Sequence, residues 1–85
     1  MSETLANIAV TSTWQNLVTT HASLGGADAR IQNIGAADID VVHGGSTPTT
    51  ATGDRLGTLD STEVNASAVW VRAVGGRSTV SITLL

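Results

Sequence analysis

The stretch Ala68-Val-Trp-Val-Arg-Ala-Val74, Gly75-Gly76, Arg77-Ser-Thr-Val-Ser-Ile-Thr-Leu84 constrains the fold more than any other part of the chain. Its apolar residues recur at every second position, the period at which a strand returns its side chains to one face. Adjacent glycines between two such runs specify a two-residue primed turn, since glycine reaches positive φ without a Cβ clash. The predicted hairpin sets Val74 opposite Arg77, Val71 opposite Val80 and Val69 opposite Ile82. One face then carries Val69, Val71, Val80 and Ile82, and the other Trp70, Arg72, Thr79 and Ser81.

The same period recurs upstream. Ile8, Val10, Ser12 and Trp14 alternate with Ala9, Thr11 and Thr13 as a strand would, and residues 16–20 extend it or begin another. Ser23-Leu-Gly-Gly-Ala-Asp28 is turn material. Arg30-Ile-Gln-Asn-Ile34 and Asp38-Ile-Asp-Val-Val-His43 flank Gly35-Ala36-Ala37 and read as a second hairpin. A three-residue loop there places Ile31 opposite Val41 and Asn33 opposite Ile39, which keeps the apolar sets on one face, whereas a slip of one residue would not. Residues 44–54 hold the chain's single proline, Pro48, and form the longest predicted loop. Leu56 and Leu59 lead into a strand at 62–66, with Val64 and Ala66 facing inward. The expectation is a single all-β domain over residues 1–85, a small β-sandwich or β-barrel of about six to eight short antiparallel strands. Residues 1–7 read as a candidate flexible N-terminal arm.

Composition sets what such a domain can do. A chain of 85 residues buries only about 60% of the surface its unfolded form exposes, so its core is thin. Disulfides, metals or oligomerisation usually compensate. There is no cysteine, and His21 and His43 are the only histidines, which leaves oligomerisation. With no Phe or Tyr, Trp14 and Trp70 supply the only large rings, and Val, Ile, Leu and Ala must do the packing. Four arginines, no lysine and a net charge of −3 provide no basic field for nucleic acid. The first residues have neither a basic n-region nor an apolar h-region, and no stretch is long enough to span a bilayer, so the expected setting is the cytosol, without a membrane.

Candidate chemistry is sparse. Asp38, Asp40 and His43 offer metal-ligand donors, but the two aspartates share the face opposite Ile39 and Val41, as a solvated face would, and no third carboxylate is near in sequence. No serine stands in a Gly-x-Ser-x-Gly turn, and no glycine-rich stretch carries the Gly-Lys-Ser/Thr that holds phosphate. Asn65-Ala66-Ser67 has the form of a glycosylation sequon, which without a secretory signal carries no weight. The expected protein is not an enzyme and needs no cofactor. Trp70 has a claim to an interface, because Val69 and Val71 already take the core face, and Leu84-Leu85 is an apolar chain end that frays unless it packs. Trp70, Arg72, Leu84 and Leu85 are thus the candidate subunit interface.

Trp14, Ile31-Gln-Asn-Ile-Gly35, Thr47-Pro48 and Ala68-Val-Trp-Val-Arg-Ala73, in that order, resemble small β-structured virion proteins of tailed bacteriophages, of the head-decoration (cement) or head-fibre kind. The resemblance covers residues 14–83 through short motifs. It implies a trimer on the outer face of an icosahedral head, in contact with the major capsid protein, assembled in the host cytoplasm. Many relatives have an extra arm or distal domain, so here the N-terminal segment and the proline loop would do the gripping. The implied capsid contacts are Glu3, Leu5, Ile8, Thr47, Pro48 and Thr49. A tail or fibre attachment module shares all these features, and a small carbohydrate-binding module using Trp14 or Trp70 is a reading of another class.

Overall fold

A computed structural model describes residues 3–44, 53–65 and 67–85. The strands are β1 (Glu3–Val10), β2 (Gln15–Asn16), β3 (Ala29–Asn33), β4 (Asp38–Gly44), β5 (Asp54–Leu56), β6 (Ser61–Val64), β7 (Ala68–Val74) and β8 (Ser78–Leu84). Between β2 and β3 lie a short helix, α1 (Leu17–Thr20), and a 3-10 turn (Ala22–Leu24). The strands form two four-stranded antiparallel sheets, sheet I in the order β1-β8-β3-β6 and sheet II in the order β2-β7-β4-β5. The all-β expectation holds, and the form is a sandwich.

One core fills the space between the sheets. Ile8, Val10, Ile31, Val80 and Ile82 enter it from sheet I, and Ile39, Val41, Leu56, Val69 and Val71 from sheet II. The alternation therefore assigned the faces of β1, β3, β4, β7 and β8 correctly, whereas it gave no strand at β5. It did not assign their partners. β3 and β4 lie in different sheets, as do β7 and β8, so neither predicted hairpin forms. Of consecutive strands, only β4 and β5 pair.

The first failure has a visible cause in Asn33, which is fully buried. Its Nδ2 donates to the carbonyls of Ala37 (2.8 Å) and Leu56 (3.0 Å), and its Oδ1 accepts from the Gly35 amide (3.1 Å) and the Ser78 hydroxyl (2.6 Å). A hairpin would leave this amide on the apolar face without partners, at a cost of about 1–3 kcal/mol for each unsatisfied group. The crossing from one sheet to the other satisfies all four positions instead. Gly35 allows it, because a Cβ there would stand 2.5 Å from the Thr79 amide nitrogen and 2.7 Å from the Ser78 Cα. At the second crossing, Gly75 (φ 80°) and Gly76 (φ 156°) do adopt positive φ, but they turn the chain across the sandwich. β7 is flanked by β2 and β4, and β8 by β1 and β3, so the two strongest apolar strands each occupy an inner position of a separate sheet.

Other expectations change too. Residues 3–7 are the first part of β1 and pair with β8, so they are sheet and not an arm. β1 ends at Val10, and Ser12 and Trp14 lie beyond it. Residues 17–20 are helical, with Asn16 capping through its Oδ1 to the Val18 amide (3.0 Å), which lets Leu17 close one margin of the core. Leu59, of the apolar pair before β6, is 68% exposed with φ 71°. Ala66 and the loop centred on Pro48 lie outside the described residues. No helix among the described residues is long and apolar enough to cross a membrane.

Candidate functional site

The outer faces of the two sheets differ in chemistry. Across sheet I the register aligns Thr4, Thr83, Arg30 and Glu63 in one row and Ser81, Gln32 and Ser61 in the next. These rows are polar and solvated. Across sheet II the register sets Arg72 opposite Asp40 and Asp40 opposite Arg55, while Trp70 stands between Asn16 and Val42, and Val74 opposite Asp38. This face mixes indole, valine and guanidinium, the composition enriched where proteins meet.

The central row is a charged network. Arg55 Nε donates to Asp40 Oδ1 at 2.5 Å, and Arg72 approaches Asp40 Oδ2 with Nε and Nη2, both at 3.4 Å. Arg72 in turn lies over the Trp14 ring, its Cζ 4.8 Å from the centroid, within reach of a cation–π attraction. Asp40 is 3% exposed, which corrects the expectation that it shares a solvated face with Asp38. Two guanidinium groups cover it and compensate the charge that burial would otherwise penalise. The hydrogen bond it donates to Asp40, and next the charge of Asp40, hold the Arg55 guanidinium above its ordinary value. A raised value adds stability that is present below arginine's ordinary range and lost only as pH climbs through the folded value, so the pair is intact throughout the neutral region.

Trp70 is half-buried, and its Nε1 is enclosed with no hydrogen-bond partner among the described residues. An enclosed indole N–H without an acceptor is uncommon, since tryptophan usually finds one when buried.

The sequence-predicted residues divide. Trp70 and Arg72 share the outer face of sheet II. Leu84 belongs to sheet I and packs against the core, and Leu85 is 47% exposed with its amide bonded to the Asp28 carbonyl (2.9 Å), so neither joins the Trp70 face. Leu5 is partly buried against the core, and Ile8 is buried in it. Glu3 pairs through its backbone with Leu84. Thr47, Pro48 and Thr49 lie outside the described residues. Among the described residues, no group of three or more His, Asp or Glu side chains could hold a metal ion. Arg55, and the link of Asp40 to both arginines, are not legible in the sequence because they depend on β4 lying between β5 and β7, which no local pattern encodes. Comparison with known proteins finds no matching family model, no matching curated protein and no matching solved structure.

Proposed function

We propose that this chain is a non-enzymatic structural protein of a tailed-bacteriophage virion, a decoration protein that binds the outer surface of the head and stabilises it. The supporting observation is the contrast between the two outer faces: sheet I carries polar rows with no large apolar side chain in them, whereas sheet II offers Trp70, Val42 and Val74 around an Arg72–Asp40–Arg55 row. A rigid, partly apolar face of this kind suits a permanent protein contact, because its charged side chains are already fixed before association. The sequence resemblance to virion proteins supplies the identity of the assembly.

In this reading the Trp70 face meets a sister subunit in a trimer. The thin core of a chain this short favours such an arrangement. Light scattering on purified protein should give three times the chain mass of 8.6 kDa, and Trp70→Ala, checked for folding by circular dichroism, should lower it. A stable monomer at all concentrations would remove the trimer.

A further inference from the structure

The sandwich has four sheet edges, and three of them are short: β2 has 2 residues, β5 has 3 and β6 has 4. The fourth, β1, has 8 residues, and among the described residues β8 is its one strand partner. A long open edge is a template for another strand, and proteins blunt such edges with bulges, charges or coverage. β1 carries no positive charge. It has a register shift between Leu5 and Ile8, and two side chains from the segment that follows it return to its backbone. Gln15 Nε2 donates to the Ala9 carbonyl (3.3 Å), and His21 Nε2 lies 2.9 Å from the Ala6 carbonyl. A carbonyl oxygen only accepts, so His21 donates through Nε2–H.

We propose that Gln15 and His21 are edge guards, which occupy the acceptors that a strand from a second copy of this chain would use and so close β1 to edge-to-edge pairing. Both are placed by the same short excursion. Gln15 begins β2 of the opposite sheet, and His21 follows α1, so folding of sheet II delivers the two side chains to the open edge of sheet I. Any self-assembly is thereby directed to faces. The inference does not depend on the virion reading.

The test is the double variant Gln15→Ala/His21→Ala, followed by light scattering over a dilution series and by hydrogen exchange at the β1 amides. Exposing two carbonyls should strengthen self-association by roughly tenfold, with the β1 amides gaining protection as the mass rises. Adding Ala9→Lys should restore the wild-type mass, because a charge on the edge strand opposes pairing. Gln15→Met, which keeps the length but removes the donor without adding a charge, carries the same expectation should the double variant not fold. Unchanged association, or association that persists with Ala9→Lys and leaves the β1 amides unprotected, would overturn the proposal.

Discussion

At the scale of single residues, the most consequential side chain is a polar one in the core. Asn33 joins β3 of sheet I to Leu56 of β5 in sheet II and to Ser78 at the start of β8, so one amide ties three strands. Asn33→Ala should destabilise the fold by about 3 kcal/mol, since it strips partners from several enclosed groups at once. Urea denaturation would show this as a lower midpoint at unchanged slope, and a loss below about 1 kcal/mol would mean that water replaces the amide. Leu59 lies at the other extreme. It holds φ 71° through a bond from its amide to the Asn33 carbonyl (2.6 Å) and one from Gln32 Nε2 to its own carbonyl (3.1 Å), yet its side chain is 68% exposed. Leu59→Gly should therefore stabilise by about 0.5–1 kcal/mol, because relief of left-handed strain exceeds the extra chain entropy. A destabilised variant would show that the leucine side chain contributes packing. Asn33 was visible in the sequence as a polar residue at the parity of Ile31, which is where a strand's core face should be apolar. Nothing local distinguished Leu59 from a core leucine.

At the scale of elements, two-residue alternation specifies which side chains face inward and is silent on which strand lies alongside. Val69, Val71, Val80 and Ile82 are fully buried whether β7 and β8 form a hairpin or cross the sandwich, so the pattern is identical for both. What separates the two is long-range. β7 must leave its two edges for β2 and β4, and β8 its two for β1 and β3, and only the assembled sheets express that demand. The short helix was hidden for a related reason, since four residues are too few to display a 3.6-residue period. The crossings also have a kinetic consequence. With a single pairing between consecutive strands, most contacts close long loops before they are rewarded. Refolding after denaturant dilution should therefore be slow, on the order of milliseconds to seconds, as for other sandwiches. Stopped-flow tryptophan fluorescence would measure it, and a refolding time in microseconds would be inconsistent with this topology.

At the scale of the whole molecule, the sandwich has one solvated face, one face fit for contact and a guarded long edge. Ile8 is buried in the core and Leu5 packs partly against it, whereas Trp70 and Arg72 remain outward and are joined by Trp14, Asp40 and Arg55. Arg72 over the Trp14 ring also takes up a face that a sugar would need for stacking, which weighs against the carbohydrate-binding reading. We propose that this chain acts by binding a capsid. The most direct test is sedimentation of the purified protein with phage heads that lack it. The account predicts saturable pelleting at a fixed ratio to the major capsid protein and heads that resist heat better once coated. Protein that stays in the supernatant at micromolar concentration would contradict it.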